Sequence, residues 1–185
     1  RSTLFPYTTL FRSVKLRDLA LDALHTIKAR GGSISFDPNL RRELLDAPGL
    51  HEALQQTLAH TDIFLPSGDE LYLFTRAQNE EEAIAGLLAR GIAEIILKRG
   101  AAGASHYSQA GHVDIAAHNV TESDPTGAGD SFGGAYIALR KNGADVSTAL
   151  RYANAAGAHA VTRVGPMEGT STKAELDILL AEGKR

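Results

Sequence analysis

Three short apolar runs, SISFD (33–37), DIFLP (62–66) and AEIILK (93–98), each follow a stretch with helical spacing. This alternation limits the fold more than any other feature of the chain. The first helical stretch, VKLRDLALDALHTIKAR (14–30), puts Leu16, Leu19, Ala20, Ala23, Leu24 and Ile27 on one stripe. That is the period of an amphipathic helix, and Gly31-Gly32 ends it. A second helix is expected at 49–60 and short ones at 68–75 and 79–90, the last with acids in its first turn, where the helix dipole favours them. RGAAGA reads as a tight turn, and ASHYS with HVDIAA as a β-hairpin. From Gly129 onward the spacing is helical, over 129–141, 146–162 and 172–182, and Thr172 with Glu175 makes a capping-box pattern at the last. Helix and strand in alternation imply parallel strands covered by helices, so the expected class is α/β with a mostly parallel sheet.

The opening RSTLFPYTTLFRS has a different character. It holds three of the eleven aromatic residues and no acid. Pro6, Thr8 and Thr9 interrupt any apolar core that a secretion signal would need. Thr, Phe and Tyr would suit an edge strand, but Thr3–Ser13 corresponds in one reading frame to DNA that resembles a common short-read sequencing adapter. Residues 1–13 are therefore expected to be non-native, and 14–185 to be the C-terminal part of a single, longer domain.

Composition narrows the function classes. Hydrophobic residues at 43% and charged residues at 22% fit a globular chain with a real core. Without Arg1 and Arg12 the formal net charge moves from −3 to −5. No Lys/Arg cluster offsets it, so no nucleic-acid partner is expected. No apolar run approaches the roughly 20 residues of a membrane helix, so no membrane partner is expected either. The chain has no Cys, which excludes a thiolate nucleophile, a disulfide and a zinc–sulfur site and permits a cytoplasmic location. The seven His show no metal-ligand spacing and read as surface or internally satisfied residues.

The segment NVTESDPTGAGDSFGGAYIALR (119–140) carries the chemistry. Gly127, Ala128 and Gly129 precede an amphipathic helix, where backbone N–H groups and the helix dipole converge on an anion. Asp130 falls in the first helical turn. A carboxylate beside a phosphate suits one task, accepting the proton of a hydroxyl that attacks the phosphorus. Asp124 precedes the turn and can hold a cation or orient the loop. Both acids would equally serve to cap and charge a helix N-terminus. The segment is neither a Walker A loop nor a Rossmann fingerprint.

The string D-P-T-G-A-G-D-S-F-x-G closely resembles the signature of the ribokinase-like (PfkB-type) carbohydrate kinases, D-T-T-G-A-G-D-x-F-x-G. Other segments resemble the same family in the same order. SFDPNLR (35–41) is similar to its D-x-N-x-R segment, through Asp37, Asn39 and Arg41. LPSGDE (65–70) is similar to N-x-x-E, through Glu70, with Ser67 in place of the usual Asn. LKRGAAGA (97–104) is similar to K-x-G-x-x-G, through Lys98, Gly100 and Gly103. RYANAAGAHAVTRVGP (151–166) resembles the adenine-flanking helix and loop, through Asn154 and Gly165. Each piece alone suits a turn, a cap or a solvated charge. Five in family order, at strand ends where open α/β sheets bind ligands, point to a site.

The resemblance implies a ribokinase-like three-layer α/β/α sandwich lacking its N-terminal part and β-lid. It implies ATP-dependent phosphorylation of a sugar or sugar-acid hydroxyl. Asp130 would be the base and Gly127, Ala128 and Gly129 the anion hole. Arg41, Asp37 and Asn39 would meet substrate or phosphate. Lys98, Gly100, Gly103 and Asn154 would bind the nucleotide. Glu70 would act on magnesium through water, and Asp124 and the Gly165 loop on a monovalent cation such as potassium. SFDPNLR with LPS and VGPMEGTS look most like kinases for 2-keto-3-deoxygluconate and related ketoses or sugar acids, with fructokinase, tagatose kinase and ribokinase-type substrates open. The full-length protein would be a candidate homodimer. Residues 14–185 alone are expected to be inactive. The competing readings are a non-catalytic nucleotide-binding module, a dead fragment, and a nucleoside kinase.

Overall fold

The computed structural model describes residues 14–39 and 48–182. They group into two compact units, one ending at Ile96 and one beginning at Leu97. The expected opening segment, 1–13, and Arg41 lie outside the described residues.

In the first unit, helix α1 (Val14–Ala29) is followed by strand β1 (Ser35–Phe36), helix α2 (Leu50–Ala59), strand β2 (Ile63–Phe64), a 3-10 helix (Gly68–Phe74), helix α3 (Glu80–Ala89) and strand β3 (Glu94–Lys98), whose last two residues belong to the second unit. The Gly32 and Gly31 N–H groups donate to the Ile27 and Lys28 carbonyls at 2.9 and 3.0 Å. This is the Schellman pairing that the double glycine promises. β1 pairs with β2 and β2 with β3, both parallel, with Phe36 opposite Phe64 and Phe64 opposite Ile95. The ladders are shorter than the apolar runs suggest, since only two residues of SISFD and two of DIFLP are strand.

Asp62 fastens these pieces. Its carboxylate accepts the Lys28 ammonium at 2.7 and 2.9 Å and the Ile34 N–H at 2.7 Å. Its own N–H and carbonyl enter the ladders on either side, to the Ile34 carbonyl and from the Ala93 and Glu94 N–H groups. Phe36 stacks on Phe64 and both meet Phe74 edge to face, with ring centroids 5.7 to 6.0 Å apart, geometries that aromatic quadrupoles favour. Leu50, Ala53, Leu54 and Leu58 form the buried stripe of α2. Ala83, Ile84 and Leu87 form that of α3, whose N-cap Asn79 accepts the Glu82 N–H at 2.9 Å.

In the second unit, strands β4 (Ala104–Ser108) and β5 (Gly111–Ile115) form an antiparallel hairpin, followed by helices α4 (Ala128–Lys141), α5 (Val146–Ala160) and α6 (Lys173–Glu182). α5 buries mostly small residues, among them Ala149, Ala153, Ala155, Ala156 and Ala160. That lets α4 come close, and a Cβ on Gly157 would lie 3.5 Å from the Ala128 carbonyl and 3.6 Å from Phe132 Cβ. Leu176 and Leu180 of α6 pack on Ala155 and Ala156. The Thr172–Glu175 capping box forms, with the Thr172 N–H donating to Glu175 at 2.7 Å. Two parallel pairings and one antiparallel hairpin, interleaved with helices, make a mixed, mostly parallel α/β fold. No helix among the described residues is long and apolar enough to cross a membrane.

Gly103 links the turn after β3 to the end of β5. Its φ is +100°, and a Cβ there would run into the Ile115 carbonyl oxygen and stand 2.8 Å from the Ala117 nitrogen. Gly103→Ala combines positive-φ strain with a backbone collision. It should cost about 2 kcal/mol or more, seen as a lower urea midpoint. An unchanged midpoint would show that the β5 end gives way freely.

Candidate functional site

The centre of the second unit's site is the turn that starts α4. Gly127 is the N-cap residue, at φ +83°, and its carbonyl accepts the Ser131 N–H at 2.9 Å. Only glycine suits the position, because a Cβ would collide with the Pro166 carbonyl oxygen. The loop after α5 therefore lies directly on the turn. The N-cap residue Gly127 supplies no side-chain cap, and Asp130 puts an acid in the first turn of α4. The first-turn N–H groups have no acceptor within the helix, as at any helix start. Asp130 sits in that turn, exposed to solvent.

Asp124 orients both loops. Its Oδ1 accepts the Thr126 N–H at 3.0 Å and its Oδ2 the Gly165 N–H at 2.9 Å. The N–H groups of Ser123 and Asp124 donate to the Val161 carbonyl at 2.7 and 3.1 Å. Hydrogen bonds from the Thr126 hydroxyl and N–H, and then from Gly165, hold the Asp124 carboxyl below the ordinary aspartate value. Three donors leave one of the carboxylate's four or so lone-pair sites open, and the group stays ionised, the donor chemistry that a hard monovalent cation takes.

Lys98 reaches this turn from the end of β3. A Cβ on Gly129 would lie 3.5 Å from its Nζ. The structure thus brings together Lys98, Asp124, Gly127, Ala128, Gly129, Asp130 and Gly165.

Gly103 and Asn154 meet elsewhere, at the end of β5. Asn154 is buried, and its Nδ2 makes long hydrogen bonds of 3.4 Å to the Ile115 and Ala116 carbonyls. In this structure Asn154 positions the β5 exit. Gly100, at φ +55°, opens the 3-10 turn between β3 and β4 with nothing within 4 Å of a notional Cβ. Next to this region, burial and then the Arg151 guanidinium push the His118 imidazole below its ordinary value.

The first unit carries the remaining candidates. Asp37 and Asn39 follow β1, with Asp37 half-buried and Asn39 exposed at φ 41°, a left-handed conformation that Asn tolerates. Glu70 lies in the first turn of the 3-10 helix, where its Oε2 accepts the Ser67 N–H at 2.8 Å. Ser67, standing where the family has Asn, is the N-cap of that turn. Sequence reasoning missed the Pro166 carbonyl against Gly127 and the approach of Lys98 to Gly129. The available signal was the glycine at 127 itself, a residue type that permits a close backbone approach without naming the neighbour.

The sequence profile of the pfkB family carbohydrate kinases matches residues 7–173. The chain belongs to the pfkB family. A fructokinase of Vibrio alginolyticus is 33% identical over 167 residues, covering 86% of this chain and 54% of that protein. An E. coli protein described as a ribokinase II, solved in complex with ATP and Mg2+, is 48% identical with a TM-score of 0.91, over 95% of this chain and 56% of the other. A double-mutant fructokinase from Vibrio cholerae O395, solved with fructose, ADP and potassium ion, is 27% identical with a TM-score of 0.85, over 94% and 58%. This pfkB chain spans about half the length of these relatives, and its likeness to them confirms the ribokinase-like fold.

The Asp124 bridge makes a pH prediction. A depressed folded-state value means stability that is present above the ordinary 3.8 and lost as pH falls through the folded value. The Asp124 carboxyl resonance should titrate below 3.8, and protection of the Gly165 amide from exchange should disappear with it on acidification. Titration at or above 3.8 would show that the bridge does not persist in solution.

Proposed function

We propose that this chain is the nucleotide-side part of an ATP-dependent kinase that phosphorylates a hydroxyl of a small sugar or sugar acid. The observation that carries the reading is the Gly127–Gly129 turn at the start of α4, with Asp130 one residue on and Lys98 beside it. ATP would direct its γ-phosphate at the first-turn amides, which act as an anion hole. Asp130 would take the proton of the attacking hydroxyl. Magnesium would bridge and neutralise phosphate oxygens. To Glu70 we assign the water-mediated contact with that ion, and to Asp37, Asn39 and Arg41 the substrate side, both by resemblance to the family motifs. Asp124, with the Gly165 loop, would hold a potassium ion. This reading draws support from the E. coli relative solved with ATP and Mg2+ and the Vibrio cholerae relative solved with fructose, ADP and potassium.

Among substrates, the fructokinase relatives favour a ketose such as fructose. SFDPNLR with LPS favours a 2-keto-3-deoxy sugar acid. Competition between the two sugars in one assay separates them. Residues 14–185 by themselves are proposed to bind nucleotide without turning over sugar.

Two experiments test the reading. Saturating MgATP should raise the Tm of this chain, as any ligand of the folded state must, and no shift would remove the nucleotide site. In the full-length kinase that contains these residues, Asp130→Asn should lower kcat by at least about 100-fold while leaving the MgATP-induced Tm shift in place. Wild-type turnover in that variant would sink the assignment of the base. A Tm shift with no transfer to any sugar by the wild-type full-length protein would favour the binding module.

A further inference from the structure

β3 ends at Lys98, a second cation, Arg99, follows it, and the fold treats the two differently. Arg99 is committed to the hairpin. Its Nε donates to Ser105 Oγ at 2.8 Å and its Nη2 to the Tyr107 hydroxyl at 3.0 Å. The Arg99 N–H also closes the turn onto the Gly103 carbonyl at 2.8 Å. Lys98, the last residue of β3, has a different neighbour. Its Nζ stands over the start of α4, 3.5 Å from where a Cβ of residue 129 would be. Glycine at 129 keeps side-chain atoms out of the approach between this ammonium and the first-turn amides. Asp130, the residue placed as base, is next in the chain.

We infer that Lys98 is a catalytic residue, whose ammonium binds the transferred phosphoryl group together with the first-turn amides of α4. This rests on the kinase reading above and goes beyond the nucleotide-binding role that the family motif implies for Lys98. In the transfer, the bond between the γ-phosphorus and the bridging oxygen of ATP breaks and ADP leaves with the electron pair. The sugar oxygen bonds to phosphorus and its proton passes to Asp130. Charge on the three equatorial oxygens needs donors from more than one side during this exchange. The amides supply one side at the helix start and the Lys98 ammonium supplies a compact point charge on another. Such a group stabilises the transition state more than bound ATP, so its loss falls on kcat rather than on KM.

The test uses the full-length kinase containing these residues, with Lys98→Met, Lys98→Arg and, should the methionine protein fail to fold by circular dichroism, Lys98→Gln. Two quantities are read: steady-state kinetics, and the tightening of MgADP binding by aluminium fluoride, a mimic of the phosphoryl group in flight. Lys98→Met should lower kcat by about 100-fold with the KM for ATP within about threefold of wild type, and abolish the tightening. Lys98→Arg should recover part of both. A kcat for Lys98→Met within about threefold of wild type, or tightening that survives, overturns the inference. If the wild-type protein phosphorylates no sugar, the kinase reading fails on its own. Lys98 is then judged by the aluminium fluoride effect alone. Its presence in wild type and loss in Lys98→Met supports the role, and its absence or persistence in both refutes it.

Discussion

The candidate site depends on one carboxylate. Asp124 accepts N–H groups from Thr126, two residues on, and from Gly165, beyond the far end of α5. With this bridge the loop before α4 and the loop after α5 become one structure. The Pro166 carbonyl can then rest against Gly127, and the helix start takes its shape from both sides. The bridge favours the charged form of its acceptor, and its own donors keep it charged. A neutral amide at 124 would offer one acceptor where two are used. Asp124 thus does first what a cation-holding role would also require, gathering the loops while remaining anionic.

The first unit solves a related problem with Asp62. Two-residue strands make few ladder bonds, so their register needs help. Asp62 gives it through backbone and side chain at once, reaching Lys28 at the end of α1 and the residues that lead into β1 and β3. The Lys28–Asp62 pair is partly exposed, and screening limits what the charges alone contribute. The fixed geometry of four backbone and side-chain bonds around one residue matters more than the ion pair does.

Much of this was legible in the chain. Helical spacing marked α1, α2 and α3, the capping box marked α6, and the turn at 127–129 announced itself by composition. Family motifs placed Lys98, Asp124 and Asp130 in one site, and the second unit brings them together. The extent of β1 and β2 was not legible, because apolar residues beyond a ladder still bury their side chains, as Leu65 does. Nor was the setting of Asn154, buried against the Ile115 and Ala116 carbonyls nearly forty positions away. Nothing local signals such a bond. Glu70 shows the same ambiguity at short range, since a carboxylate three residues after a serine reads as a cap and as a metal-organising acid with equal ease.

The alanines of α5 have a consequence for precision. A long side chain that locates a neighbouring helix brings its rotamers with it, and freezing them costs entropy, whereas alanine has none to freeze. Where α4 starts, Gly157 faces the Ala128 carbonyl and the Phe132 side chain, and the Pro166 carbonyl faces Gly127. Few torsions stand between one helix and the other. The direction in which the first-turn amides point is therefore set by main chain resting on main chain, once the Asp124 bridge has joined the loops. Beyond the short Asp124 bridge, it behaves as a property of the scaffold, less open to the side-chain fluctuations that blur a site built on longer residues.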